Sequence, residues 1–203
     1  MSILKFKNLF LLCFILTFFS CSNEIEKNSI SLSFPQNIVK IDGFHSFFID
    51  KSQIIIKDNI ISDDCDSWKV KYDFESLFIK SYKDLIERMF EKNDLKSFKL
   101  SDNDPQKNSY ASYIEFSENQ AILDFITERN TGKFKIKLTS IINVKSNDMM
   151  IENSVMSEQN WEKNIYLNCD LQKGSKKVIE KAFKNLIDQA HQNIYKSIKK
   201  ITR

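Results

Sequence analysis

The chain has 203 residues, a formal charge of +3, 3 glycines, 2 prolines and 4 cysteines. So small a charge gives no electrostatic footprint for nucleic acid, and the scattered Gly43, Gly132 and Gly174 exclude the glycine-rich loops that cradle phosphates. Arginine is confined to Arg88, Arg129 and Arg203, while Lys, Ile, Asn and Phe abound, which reports AT-rich codons and not an activity.

The first residues have the three-part layout expected of an export signal. Lys5 and Lys7 precede an apolar run from Leu9 to Phe19, then Ser20 and Cys21. The run is too short to span a bilayer as a mature helix. A cysteine directly after a small residue at the end of such a run resembles the bacterial lipobox, with Phe18 and Phe19 where that pattern usually has Leu and a small residue. The resemblance implies that residues 1–20 are cleaved as a signal peptide. It also implies that Cys21 receives a diacylglycerol and an acyl chain, anchoring the protein in the bacterial cell envelope, at the outer membrane. The residues by themselves also fit an ordinary secretory signal. Loss of Lys5 and Lys7 leaves a net charge of +1. Residues 21–36, polar and without apolar period, are expected to be the lipidated N-terminus and tether, and residues 37–203 a single domain.

Structure is expected from Asn37. Ile38, Val39 and Ile41 precede Asp42-Gly43, and Phe44, Phe47, Phe48 and Ile49 follow, which predicts a hairpin with Asp-Gly in the turn. Gln53–Lys57 reads as a further strand. Apolar residues at Phe74, Leu77, Phe78, Tyr82, Leu85, Ile86, Met89 and Phe90 predict a helix to about Glu91, N-capped by Asp73 and ended before Asn93-Asp94. Leu95–Leu100 is extended and Ser101–Ser109 is a loop around Asp104-Pro105. Tyr110–Phe116 and Gln120–Thr127 read as two strands joined by Ser117-Glu118-Asn119. Lys133–Val144 alternates, with Phe134, Ile136, Leu138, Ser140, Ile142 and Val144 on one face and Lys133, Lys135 and Lys137 on the other. A turn at Lys145–Asp148 leads to Met149–Val155, and Ile165, Leu167, Cys169 and Leu171 alternate as a last strand. A second helix is expected after Gly174, N-capped by Ser175, with Val178, Ile179, Ala182, Phe183, Leu186, Ile187, Ala190, Ile194, Tyr195 and Ile198 on its apolar stripe. The predicted class is α+β: a two-layer sandwich with both long amphipathic helices on one face of a mainly antiparallel sheet.

Chemistry is sparse. His45 and His191 lack partners at metal-ligand spacing, and Asp63-Asp64-Cys65-Asp66 and Asp102-Asn103-Asp104 lack the glycine and distal glutamate of a calcium loop. No catalytic motif, cofactor or metal site is expected, and the protein reads as a non-enzyme. Lys176 and Lys177, in the second helix's first turn, are expected to be solvated, with an anion or acidic partner as the alternative. Cys65 and Cys169 either form a disulfide, as suits an exported chain, or are buried thiols.

The order of elements is similar to that of small envelope-assembly lipoproteins, including one that plugs a lipopolysaccharide translocon and the auxiliary lipoproteins of lipid-transporting ABC systems. That resemblance implies non-catalytic binding or assembly, with the membrane and an envelope protein as partners and no nucleic acid. A lipid carrier with an apolar cavity under the C-terminal helix, similar to helix-grip folds, is one alternative. A surface lipoprotein meeting host or external ligands is another.

Overall fold

Alternation builds the centre of the sheet. The structure, a computed structural model, describes residues 30–62, 72–101, 104, 109–146, 149–164 and 172–201. In β5 (Thr131–Ser146) every even-numbered residue from Gly132 to Val144 is buried, and the odd ones reach solvent on the other face. β4 (Ser112–Glu128) and β6 (Met149–Asn164) flank it in antiparallel register. β1 (Ile41–Ile49) runs parallel along the start of β4. After a 3-10 turn at Lys51–Gln53, β2 (Ile54–Ser62) continues parallel along the rest of β4. Helix α1 (Phe74–Met89) passes directly into β3 (Phe90–Lys96), which lies parallel to β1. Helix α2 (Gln172–Ile201) is the last element. The six-stranded sheet is mixed, in the order β3-β1-β4-β5-β6 with β2 beside β4. The α+β class and the one-sided helical layer are as expected.

Aromatic packing joins the layers. Phe183 of α2 meets Phe78 of α1 at 5.2 Å between ring centroids, and Tyr82 of α1 stacks on Phe116 of β4 at 4.1 Å. Leu138, Leu186, Ile187 and Ile194 are fully buried in one core with them. Each such side chain contributes roughly 1.5–3 kcal/mol by leaving water. Asp73 caps α1 as expected: its Oδ1 accepts the Ser76 backbone N–H at 3.0 Å and its Oδ2 the Ser76 hydroxyl at 2.7 Å.

Four expectations are corrected. Asp42-Gly43 does not turn a hairpin but sits inside β1, where the register slips between Ile41 and Phe44 and Gly43 takes φ +109°. A bulge also needs positive φ, so the dipeptide alone does not separate the two cases. The Ser117–Asn119 segment is likewise a bulge in one continuous β4. Ser117 faces Ile141 and Gln120 faces Thr139, three steps against two. The extra residue moves the core positions from Ile114 and Phe116 to Ala121, Leu123 and Phe125, a change of parity that reads in sequence as a turn. Glu118, at φ 47°, has its freed N–H taken by Gln53 Oε1 at 3.1 Å. β6 runs on past Val155 to Asn164, with Ser157 buried and even-numbered neighbours exposed. Gly174 lies within α2, not before it. A Cβ there would collide with the Trp161 indole, so glycine admits the helix close against β6.

Ile30 is already buried, and Leu32, Phe34 and Ile38 pack against the core. The guanidinium of Arg88 lies over the Phe34 ring at 4.6 Å. Ordered packing therefore begins ahead of Asn37. The expected strand at Ile165–Leu171, and Cys21, Cys65 and Cys169, lie outside the described residues.

Candidate functional site

The carboxyl ends of two adjacent parallel strands leave a crevice where their chains diverge. β1 ends in Phe48-Ile49 and turns away through Asp50–Gln53, while β3 ends in Leu95-Lys96 and leaves through Ser97. Between them opens a crevice of about 470 Å³, walled by Phe48, Ile49 and Leu95 and by Ile79 of α1. Leu95 remains 45% exposed, so the wall offers apolar surface to a partner. Asp50, Ser52 and Lys96 at the rim have their polar groups occupied. Asp50 Oδ1 accepts the Ser52 backbone N–H at 3.1 Å and its hydroxyl at 2.6 Å. Lys96 pairs with Asp94 at 2.9 Å, and Asp94 also accepts the Tyr110 hydroxyl at 2.8 Å, which holds its carboxyl below the usual range. This chemistry suits an apolar side chain or acyl group, and supplies no activated nucleophile.

The sheet face opposite the helices is covered at one corner. Leu100 N–H donates to the Tyr113 hydroxyl at 3.2 Å, and Lys99 reaches Glu115 at 2.5 Å. Burial pushes the Tyr113 hydroxyl up to about 12. Glu115 is buried, and Lys145 lies 3.3 Å from its second oxygen. Two lysines around one carboxylate offset its desolvation. Sequence reasoning missed Glu115, whose partners come from a loop and from the neighbouring strand. The signal available was a lone acid between apolar residues of a strand. Toward β6 the face is polar and exposed, with Lys135 to Glu158 at 2.9 Å and Lys133 to Glu128 at 3.3 Å. Lys137 lies on the same face, as expected.

The histidines play separate parts. His45 Nε2 donates to the Asp42 carbonyl at 3.0 Å, so Nδ1 accepts the Ser112 hydroxyl at 2.7 Å. Its ring packs on Phe90 at 4.3 Å, and burial lowers its pKa, keeping the ring neutral. His191, half-buried on α2, is shifted the same way by burial and is opposed by Asp188 one turn earlier. Among the described residues no cluster of His, Cys, Asp or Glu fits a metal ion. Asp63, Asp64, Asp66, Asp102 and Asn103 lie outside them. Ser175 does not cap α2 from outside. It is buried within the helix, with its hydroxyl 2.9 Å from the Tyr72 hydroxyl.

The space beneath α2 is filled. Val178, Ile179, Phe183, Leu186 and Ile187 pack into the same core as Phe134, Ile136 and Leu138, leaving the helix-grip alternative without its cavity among the described residues. No described helix is long and apolar enough to cross a membrane.

No protein-family model matches the chain, and no curated protein matches it. Among solved structures it is similar to a neuraminyllactose-binding hemagglutinin homolog from Helicobacter pylori, at 11% identity and TM-score 0.45, over 86% of this chain and 98% of that one. It is also similar to a minor lipoprotein from Acinetobacter baumannii, at 7% identity and TM-score 0.37, over 69% and 89%. A hypothetical protein from Chlamydia trachomatis gives 7% identity and TM-score 0.34, over 76% and 95%. At TM-scores below 0.5, none of these likenesses assigns the chain a fold or a function.

Proposed function

We propose that the protein is a bacterial envelope lipoprotein, anchored through Cys21, that works without catalysis by binding an envelope protein. The signal-like segment ending at Cys21 supports the anchor and an envelope location, which we place at the outer membrane as part of the proposal. The binding half is carried by one observation, the half-open crevice with the exposed Leu95 in its apolar wall. An apolar-walled crevice large enough to hold one or two apolar side chains, with a polar rim, fits a protein partner. Cys21→Ala should yield an unprocessed or soluble exported species, and unchanged partitioning into the detergent phase would refute the anchor. For the binding half, affinity purification from detergent-solubilised envelope should lose its co-purifying protein in Leu95→Lys while the melting temperature holds. Unchanged capture by a folded Leu95→Lys protein would remove the crevice from the account.

A Cys65–Cys169 disulfide belongs to the same reading. The residues bracketing both cysteines lie together: Ser62 pairs with Thr127, and Thr127 and Asn164 both lie at the end of the sheet closed by Thr131. Beyond the two segments, Tyr72 bonds to Ser175. Such a bridge would restrict the unfolded chain by up to about 4–5 kcal/mol. Two alkylatable thiols in the native, non-reduced protein would disprove it.

A further inference from the structure

We propose that the outer face of α2 docks on the anionic headgroups of the bilayer that holds the Cys21 anchor. Seven described residues of α2 are exposed, and six are lysines: Lys177, Lys181, Lys184, Lys196, Lys199 and Lys200, with Gln192 the seventh. Their helical spacing sets them on one stripe about 35 Å long at 1.5 Å rise per residue. None lies within ion-pair distance of a carboxylate among the described residues. The helix carries eight lysines against Glu180 and Asp188, a net of +6, while the whole chain is only +3. Six described lysines elsewhere do meet a carboxylate: Lys83, Lys96, Lys99, Lys133, Lys135 and Lys145. What sets the stripe apart is that a single exposed helix face carries one sign of charge along its length.

The second observation ties the helix that carries the stripe to the anchor segment. The N-terminal segment joins the domain on α2 itself: Ser31 N–H donates to Glu180 Oε1 at 3.1 Å, and Ile30 beside it is buried. That bond also occupies one of the helix's two carboxylates. Only residues 22–30 lie between Cys21 and this attachment, a reach of about 30 Å when fully extended. The α2 stripe, and not the open sheet face, is thus the basic surface on the element to which the anchor segment is tied. Each lysine near an anionic surface strengthens binding about fivefold, and a basic patch is a common second signal beside an acyl anchor. The inference rests on the anchor reading above, and its test separates the two.

The lipidated full chain is reconstituted into vesicles of phosphatidylcholine, with or without about a third phosphatidylglycerol, and its amines are labelled and mapped by mass spectrometry. The six α2 lysines should label about fivefold more slowly or better in the anionic vesicles, and high salt should abolish the difference. Lys133, Lys135 and Lys137 should label equally in both. Equal labelling of the α2 lysines, or protection of the sheet lysines instead, overturns the proposal. Protection in native envelopes but not in anionic vesicles also overturns it, and points to an acidic protein. The soluble, signal-free form of Cys21→Ala added to the same vesicles isolates the stripe: binding should still favour the anionic lipid and fall about a hundredfold when Lys177, Lys181 and Lys184 are all changed to Gln. Should the mature N-terminus prove unlipidated, the anchor reading fails, and the lipid preference of Cys21→Ala alone decides the stripe.

Discussion

The two helices share an inner surface and differ in their outer ones. Both bury an apolar stripe in the same core, and Phe78 of α1 touches Phe183 of α2 across it. Outside, α1 exposes Glu75, Lys80, Lys83, Glu87 and Arg88, both signs interleaved, with Lys83 and Glu87 at 3.8 Å one turn apart. Such a pair adds only about 0.3–0.5 kcal/mol and describes a solvated face. α2 exposes one sign along its whole length. Packing dictates the inner face because every residue there must fill a hole in the sheet. The outer face is free of that demand, so its charge pattern is where the helices can differ in role.

The sharpest break of this comparison is a charge in the shared core. Leu186→Asp in α2 and Leu85→Asp in α1 both place a carboxylate at fully buried positions. Each should cost several kcal/mol against a total of about 5–15, leaving the domain unfolded by circular dichroism. A cooperative melt retained in the Leu186→Asp protein would make α2 a detachable arm and end the equivalence of the inner faces.

Gly174→Ala tests the closeness of α2 to β6. In an open helix this change stabilises by roughly 0.5–1 kcal/mol, but the new methyl meets the Trp161 ring. Overpacking should reverse the sign, to a loss of about 1–3 kcal/mol. Chemical denaturation gives the sign directly, and a gain in stability would mean that α2 stands further from the sheet.

A smaller loss, about 1 kcal/mol, is expected for Asp73→Ala, which removes the α1 cap and leaves α2 untouched. Urea midpoints of the single variant and of a double variant with Gly174→Ala should be additive within about 0.5 kcal/mol.

The smallest effect is pH dependence. Burial holds the His45 pKa below 6.5, so the unfolded chain binds the proton more readily than the folded one. Stability should be level above the unfolded value and decline as pH falls from about 6.5 toward the lower folded pKa. His191 is shifted in the same direction, so His45→Gln and His191→Gln should each remove part of the slope. A slope unchanged in both variants would assign it to carboxylates instead.

Much of the fold was legible because one-dimensional period maps onto one buried side. The apolar stripes of Phe74–Met89 and Val178–Ile198, the Asp73 cap and the alternation of Lys133–Val144 each follow from local geometry and the need to bury one face.

Tertiary structure alone decided whether an irregularity ends a strand or bends it. Asp42-Gly43 and Ser117–Asn119 have turn-like chemistry, yet each is held as a bulge by bonds from distant residues. Ala111 N–H bonds to the Phe44 carbonyl at 2.7 Å, and Gln53 holds Glu118. The parallel placing of β1 between β3 and β4, and with it the crevice at their ends, also depends on pairing across long stretches of chain. The setting of the α2 lysines was likewise out of reach. Counting them needs only the sequence, but their lack of a described carboxylate within ion-pair distance and the tie of Ser31 to the same helix are properties of the assembled chain. Local sequence fixes dihedral preferences and faces, whereas the neighbour that satisfies a freed N–H or an unpaired charge is supplied by the fold.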